Sequence, residues 1–171
     1  VDGMVRMLHE LHEEKRGTDL QDISTVPPRG VVSRVLPWVI PAAVLGIIAY
    51  GFVVGGVDEG VDRLITWILV NAGLSGAFTI FSLAHPLTIL TAIVAAPFTS
   101  MNPMIGVGFV AGLAEALIRK PRVTDFENLQ SDIASFKGFF RNRITRVLLV
   151  LLFSTIGSAI GTFVALPMLF A

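Results

Sequence analysis

Residues 86–118 read PLTILTAIVAAPFTSMNPMIGVGFVAGLAEALI, a run with a single charged residue that is too long for one ordinary membrane crossing. About 20 apolar residues suffice to span a hydrocarbon core of ~30 Å. The run is interrupted in its middle by PFTSMNP at residues 97–103, which carries two prolines. Lipid offers no hydrogen-bond partner for the irregular backbone of such a break, so the break must be buried in protein or face a watery cavity. It is therefore the first place to look for function.

The chain as a whole has the composition of an integral membrane domain. Hydrophobic residues make up 53% of its 171 residues, the mean hydropathy is +0.75, and charge clusters between long apolar runs. Further uncharged runs cover residues 35–57, 64–84 and 147–171. They are apolar on every face instead of alternating with a period of two, which favours helices over a β-barrel. We predict an all-α, multi-pass domain of the cell membrane with spans at about 35–57, 64–84 and 147–167.

Composition also excludes several classes of function. Cysteine is absent, which excludes disulfides, thiolate metal sites and cysteine nucleophiles. The net charge is zero and the basic residues are divided between two segments, so no nucleic-acid-binding face is predicted. An intramembrane protease is disfavoured because the spans contain no paired aspartates and no His-Glu-x-x-His.

The distribution of basic residues predicts the side of the membrane on which each loop lies. Most of the 13 lysines and arginines precede the first span or lie between the third run and the last span, whereas the loop at 58–63 is mostly acidic. The positive-inside bias places both basic segments in the cytoplasm. Residues 86–118 then enter and leave by the same face, which predicts a re-entrant helical hairpin. The alternative is one kinked, tilted span with the second basic loop outside.

Local chemistry at the break supports two half-helices. Pro86 and Pro103 each occupy a plausible first helical position, where a missing N–H costs nothing. Asn102 is a good N-cap for the second half. The predicted tip resembles the broken-helix elements of channels and transporters, although a structural turn packed against neighbouring helices explains it as well. The tip residues are Thr99, Ser100, Asn102 and Pro103.

Polar residues inside the apolar runs form a second set of candidates. Glu115 lies four residues before Arg119, at a spacing that pairs side chains on one helix face. In a hairpin the start of the first half and the end of the second lie together, which brings His85 to Glu115. We predict a His85–Glu115–Arg119 cluster, whose role is either structural or functional. Asn71, inside the second span, is expected to form a hydrogen bond between helices.

Three glycine pairs at small-xxx-small spacing predict close helix packing. They are Gly51 and Gly55, Gly108 and Gly112, and Gly157 and Gly161. Such faces let helices approach closely, either within one chain or between copies. We therefore also predict a homo-oligomer.

The polar segments are expected to lie outside the bilayer. Residues 1–34 read as an amphipathic helix and a linker, the tail of a preceding soluble domain. His9 and His12 lie one turn apart, but no third ligand is near, so no metal site is predicted in the chain. Residues 124–137 are predicted to form a cytoplasmic amphipathic helix opened by a capping box at Thr124 and Glu127, in contact with lipid or docked on another domain.

An ordered series of short motifs runs through the membrane segment. Each is weak alone, but their order is fairly specific. They are His85-Pro86-Leu87-Thr88, Ala95-Ala96-Pro97-Phe98-Thr99-Ser100-Met101-Asn102-Pro103, Gly112-Leu113-Ala114-Glu115-Ala116, Arg119-Lys120-Pro121-x-Val123-x-Asp125-Phe126-Glu127 and Gly157-Ser158-x-Ile160-Gly161-Thr162. Over roughly residues 35–171 the series resembles the C-terminal membrane domain of archaeal TraB/PrgY, or pheromone-shutdown, proteins.

This resemblance implies a function for a longer protein more than for the chain itself. Members of the family are thought to carry a soluble N-terminal domain that is a metal-dependent peptidase acting on peptide signals, with a divalent metal bound there. The chain contains no Gly-x-x-His, so none of the catalytic residues proposed for the family can be assigned to a position in it. We therefore expect the chain itself to be catalytically inert. The resemblance implies a membrane anchor and oligomerisation domain whose partners are the bilayer and its own soluble domain. The alternative function is a channel or transporter with a solute-binding tip.

Overall fold

The computed structural model describes residues 2–17, 30–102 and 104–170, with the backbone alone for residues 10–17. Every regular element in these ranges is a helix, which confirms the predicted all-α class. Most of the predicted linker, the tip residue Pro103 and the side chain of His12 lie outside the described residues. The helices are α1 Asp2–Gly17, α2 Val31–Val54, α3 Gly56–Phe81, α4 Pro86–Thr99, α5 Val107–Arg119, α6 Val123–Glu127, α7 Leu129–Ile133, α8 Phe136–Arg141 and α9 Arg143–Met168.

The chain divides into two compact units, residues 1–34 and residues 35–171. The first unit contains α1, an amphipathic helix whose apolar side chains Met4, Met7 and Leu8 are exposed. All the polar clusters described below belong to the second unit.

Three of the described helices, α2, α3 and α9, are long and apolar enough to cross a membrane. They correspond to the three predicted spans, but they begin earlier than the apolar runs. Helix α3 starts at Gly56, so that Asp58 and Glu59 lie in its first turn. Acidic side chains there are favourable because they complement the positive end of the helix dipole. Hydropathy marks the part of a helix suited to lipid, and the helix itself continues into the polar region.

Helices α4 and α5 are about half the length of α9, and the chain reverses direction between them. The backbone N–H of His85, just before α4, lies 3.0 Å from the carboxylate of Glu115 near the end of α5. This contact brings the two outer ends of the pair together, as in a helical hairpin. The position of the pair in a bilayer stays a prediction.

The break between α4 and α5 is longer than predicted. Helix α5 begins at Val107 with Gly106 as its N-cap, so the prediction that Asn102 caps it was wrong. The Asn102 Oδ1 instead accepts a hydrogen bond of 2.9 Å from the backbone N–H of Met104. This bond closes a turn within the break, and α5 begins only after it.

Helix α9 lies against both α3 and the hairpin, and glycines make these close approaches possible. A Cβ added at Gly108 would lie 2.4 Å from the carbonyl oxygen of Leu151, and one at Gly157 would lie 2.7 Å from that of Leu74. A Cβ at Gly161 would lie 3.1 Å from Asn71 Cα. These glycines therefore pack helices within one chain. They give no support to self-association, which stays a prediction.

Two apolar clusters fill the interior between the helices. Small side chains dominate the cluster around the hairpin, and larger ones join α2, α3 and α9. The first contains Ala84, Ala92, Ala96, Val107, Ala111 and Val150, and the second contains Val44, Ile48, Trp67, Ala165 and Leu169.

The segment after α5 forms three short helices in place of the single helix predicted for residues 124–137. The carboxylate of Asp125 accepts a hydrogen bond of 2.7 Å from the N–H of Arg122, so the first helix begins one residue early and Thr124 and Glu127 are not its capping pair. The amide of Asn142 donates to the backbone oxygen of Asp125 at 2.8 Å and to the carboxylate of Asp132 at 3.0 Å. This amide, at the start of α9, holds the segment in a bent path that one straight helix would not follow.

Candidate functional site

A charged cluster closes the base of the hairpin. Glu115 is completely buried, and both of its carboxylate oxygens accept hydrogen bonds. Oε2 accepts hydrogen bonds from the hydroxyl of Thr88 at 2.6 Å and from the backbone N–H of His85 at 3.0 Å. Oε1 accepts a hydrogen bond from Nε–H of Arg119, and the positive charge of Arg119 neutralises the carboxylate. A buried carboxylate with three donors, one of them cationic, is a satisfied group.

His85 joins this base cluster through its backbone, not through its ring. Its Nδ1 accepts a hydrogen bond of 3.2 Å from the N–H of Leu87, so the imidazole caps the start of α4. Pro86 follows at the first helical position, as the sequence predicted. The ring is thus occupied with the helix end, and the acid–base chemistry of a histidine beside a carboxylate has no geometric basis here.

Arginines also fix two strained turns at the base. Leu83 and Lys120 have positive φ angles of 55° and 47°, a backbone conformation that residues other than glycine rarely adopt. Arg119 Nη2 lies 3.5 Å from the carbonyl oxygen of Leu83, and Arg143 Nη1 lies 3.2 Å from that of Lys120. The carbonyl of each strained residue therefore has an arginine partner, which helps to hold the turn.

An uncharged polar cluster lies at the other end of the hairpin, where the tip contacts α3 and α9. Ser100 Oγ is 2.9 Å from Asn71 Oδ1 and 2.8 Å from Ser158 Oγ. Ser158 Oγ is 3.5 Å from the same amide oxygen. Asn71 is completely buried and Ser158 is 8% exposed. This tip cluster joins three helices without a formal charge.

The tip cluster has fewer hydrogen-bond partners than it needs. Ser100 has a single hydroxyl proton, yet three acceptors surround it, because the carbonyl oxygen of Ala96 also lies 2.7 Å away. Asn71 Nδ2 is buried and finds no partner in the part of the chain that the structure describes. A half-turn of the amide would let the nitrogen donate to the serines, but the amide oxygen would then lack a donor. Either orientation leaves one buried polar atom unpaired, and such an atom is costly in lipid.

A cavity of about 270 Å³ lies beside the tip cluster. Its walls come from the two sides of the hairpin break, from the middle of α9 and from α2. The cavity is largely open and most of its lining is apolar, while its polar part consists mainly of hydroxyl groups. The lining residues include Thr99, Ser100, Asn102, Thr155, Ser158 and Thr162.

The structure brings together some of the residues predicted for the tip and leaves others apart. Ser100 joins Asn71 directly, and Thr99 lines the cavity while its hydroxyl donates 2.9 Å to the carbonyl oxygen of Ala95. Asn102 lines the cavity too, although its amide oxygen closes the local turn. Pro103 lies outside the described residues. Among the residues described, no group of three metal-ligating side chains occurs.

Two residues of these clusters were missed by reasoning from sequence. Thr88 lies one turn into α4 and donates to Glu115, and Ser158 lies in the middle of α9. The spacing of Thr88 from His85 was an available signal, because three residues is one helical turn. Ser158 stands in the motif that begins at Gly157, but nothing in that motif indicates a contact with the hairpin tip, since serine is common where membrane helices meet.

Comparisons with known proteins place the chain in a family. A family model described as "TraB family protein, C-terminal domain" matches residues 32–171. The chain belongs to the TraB family. This TraB C-terminal domain is 30% identical over 171 residues to an uncharacterized protein of Methanocaldococcus jannaschii, a match that covers 97% of the chain and 43% of the relative. The domain thus spans less than half the length of the curated relative that it matches. No solved structure matches it.

Proposed function

We propose that the chain anchors a TraB family protein in the cell membrane. One observation carries this proposal: polar side chains of α3 and α9 point inward and large apolar ones point outward. Asn71 and Thr79 are fully buried, whereas Leu69 is 64% and Phe163 66% exposed. Water would favour the reverse arrangement, and lipid favours this one.

Membrane fractionation tests the anchor. The chain is expected to sediment with membranes and to stay there after extraction at alkaline pH, which removes peripheral proteins but not spanning helices. Recovery in the alkaline supernatant would reject integral insertion.

We also propose that α4 and α5 form a re-entrant hairpin. At ~1.5 Å per residue each is about 20 Å long, too short for a core of ~30 Å, whereas α9 is about 39 Å long. The base holds all the charges of the hairpin and the tip holds none, which suits a base at the membrane surface and a tip inside.

Cysteine labelling tests this topology, because the chain has no cysteine of its own. Single cysteines at Asp58, Met104 and Gln130 all replace exposed residues. A membrane-impermeant thiol reagent should reach position 58 from one side, position 130 from the other and position 104 from neither. Labelling of 58 and 130 from the same side would refute the hairpin.

We propose further that the domain anchored by this chain is a soluble metal-dependent peptidase acting on peptide signals. Its support is the family resemblance, together with the 43% coverage of the relative, whose remaining length has room for another domain. In a full-length family protein, deleting the region that aligns with residues 32–171 should release the rest from membranes without abolishing metal-dependent peptide cleavage. Loss of cleavage from a folded, soluble remainder would contradict a purely anchoring role.

A second candidate function, a channel or transporter, is favoured by the cavity at the hairpin tip. A flux assay with the chain in liposomes tests it: solute flux that Asn102→Ala abolishes would support a conducting tip. Absence of flux from correctly inserted protein would leave the anchor as the better proposal.

A further inference from the structure

The connecting segment between α5 and α9, residues 120–142, is held close to the base of the hairpin at both of its ends. Arg143 Nη1, in the first turn of α9, donates to the carbonyl oxygen of Arg119 at 3.0 Å, so the two helices that the segment joins meet there. The Asn142 amide donates to a residue of α6 and to a residue of α7, which folds the segment back on itself. A segment tethered in this way stays near the start of α9. With α9 across the bilayer, the segment lies at the level of the lipid headgroups.

Large apolar side chains of the connecting segment point away from the protein. Phe126 is 65% and Phe136 84% exposed, and Val123 at the start of α6 is exposed as well. Other apolar side chains of the segment form an open groove with leucines of α9. The groove is lined by Leu129, Ile133, Phe139, Leu148, Leu149 and Leu152. The apolar surface thus continues from the segment onto the side of α9, which favours lipid as its neighbour.

The charges exposed on the connecting segment are mostly basic. Within residues 120–141, all of which the structure describes, one exposed charged side chain is acidic, Glu127, and four are basic, namely Lys120, Arg122, Lys137 and Arg141. The other two carboxylates are partly buried and accept hydrogen bonds within the protein, Asp125 at 2.7 Å and Asp132 at 3.0 Å. Exposed basic side chains among aromatic ones are typical of segments that lie on anionic membranes.

The far end of α3 carries charge of the opposite sign. Helix α3 ends at Phe81, two residues before Leu83 of the base. Its first turns, at the other end, carry the exposed acidic side chains Asp58, Glu59 and Asp62. An anionic lipid surface attracts the connecting segment and repels this acidic end, so the same membrane can distinguish the two.

We propose that the connecting segment lies on the membrane surface and gathers anionic phospholipids around it. The rings of Phe126 and Phe136 enter the interfacial region of the bilayer, and the four exposed basic side chains contact lipid phosphates. This inference rests on the anchor proposed above and adds the class of lipid that the anchor selects. It also assigns the segment to lipid, where the sequence left docking on another domain as the alternative.

Fluorescence quenching by lipid tests the proposal in vesicles that contain the whole chain. Ala134→Cys, at an exposed position of the segment, carries the fluorophore, because the chain has no cysteine of its own. The vesicles mix phosphatidylcholine with phosphatidylglycerol, and a trace of one lipid or the other bears the same nitroxide quencher near its headgroup. A basic side chain near the surface favours anionic lipid about five-fold, so labelled phosphatidylglycerol should quench about three- to five-fold more than labelled phosphatidylcholine. High salt should bring this quenching ratio toward one.

Two results would overturn the proposal. Equal quenching by the two labelled lipids at low salt would show that the segment does not select anionic lipid. Absence of quenching by either would place the segment away from the membrane, as expected for a surface that docks on another domain. Alkaline extraction of the same vesicles separates these results from failure of the anchor, because an inserted chain stays with the vesicles whether or not the segment attracts anionic lipid.

Matched changes locate the effect. Lys137→Gln combined with Arg141→Gln removes two exposed positive charges and should lower the quenching ratio about two-fold or more, whereas Glu127→Gln should raise it. A fluorophore on Val57→Cys, beside the acidic first turn of α3, should give a ratio near or below one in the same vesicles. Should the double variant fold poorly, Lys137→Gln alone should still lower the ratio. An unchanged ratio in a folded double variant would exclude these side chains as the ones that gather the lipid.

Discussion

The base and the tip of the hairpin are both buried polar clusters, yet they differ in how well their hydrogen-bonding groups are satisfied. At the base, Glu115 has three donors and a counter-charge. At the tip, Asn71 keeps one buried polar atom without a partner among the described residues, and a cavity lies alongside. A satisfied cluster stabilises a fold, whereas an unsatisfied one beside open space is where a ligand can bind. The predicted charged site is thus better explained as structure, and the uncharged tip as the candidate for function.

The largest expected effect comes from breaking the base cluster. Glu115→Ala leaves Arg119, the Thr88 hydroxyl and the His85 N–H without their acceptor. Removing one partner of a buried ion pair typically costs about 3–5 kcal/mol, so we expect a loss of that size in the free energy of unfolding. Titration of the folded protein with SDS in mixed micelles measures it.

Glu59 provides a matched control for that measurement. It pairs with Arg63 at the same spacing of four residues, but the Glu59 side chain is 48% exposed. Exposed pairs contribute less than about 1 kcal/mol, so Glu59→Ala should be nearly neutral. Similar losses for Glu115→Ala and Glu59→Ala would show that the base is not the special structural cluster described here.

A smaller effect is expected when one donor is removed from the base. Thr88→Val keeps the volume of the side chain but removes a hydrogen bond to the charged carboxylate of Glu115. Hydrogen bonds to charged groups contribute about 1.5–3 kcal/mol, and the same SDS titration should detect the loss. Thr91→Val on the next turn of α4 removes only a bond to the carbonyl of Leu87 and should cost less than half as much. Equal losses would mean that Thr88 does not support Glu115.

The tip should be sensitive to the approach of α9 and α3. Gly157→Ala would place a Cβ 2.7 Å from the Leu74 carbonyl oxygen and 2.9 Å from Ser75 Cα, so the helices must separate. Such overpacking costs about 1–3 kcal/mol, and it should also move Ser158 away from Ser100. Gly73→Ala meets nothing within 4 Å and should be stabilising by about 0.5–1 kcal/mol. If Gly157→Ala left the free energy of unfolding unchanged, the contact between α3 and α9 would be looser than the structure shows.

The base could be predicted from the sequence because its chemistry is local or charged. Glu115 and Arg119 share a helix face by spacing alone, and a charge in an apolar run needs a partner. Two prolines and the polar residues between them predict the break between the half-helices. The positive-inside bias then predicts the hairpin, and the hairpin brings His85 and Glu115 to one end. That the contact is made by the His85 backbone instead of its ring depends on the cap at α4.

The tip cluster could not be predicted in the same way. Ser158 meets Ser100 across 58 positions in the sequence, and the short motif around Ser158 does not indicate which helix it contacts. The break ends at Gly106 instead of Asn102, and the Asn102 side chain closes a turn inside the break. The division of residues 123–141 into three helices likewise depends on Asn142, a residue of the following helix that contacts them only in the folded chain.

The smallest expected effect is also the sharpest test of the difference between the two clusters. Asn71→Leu removes two hydrogen-bonding groups from the tip, but one of them already lacked a partner, and Ser100 keeps its bonds to Ala96 and Ser158. Replacing a poorly satisfied buried amide by an apolar side chain of similar volume is often nearly neutral, so we expect a change of less than about 1 kcal/mol in the SDS titration. A loss as large as that of Glu115→Ala would instead mean that the amide is fully satisfied in the folded protein, and the tip would then be a structural cluster like the base.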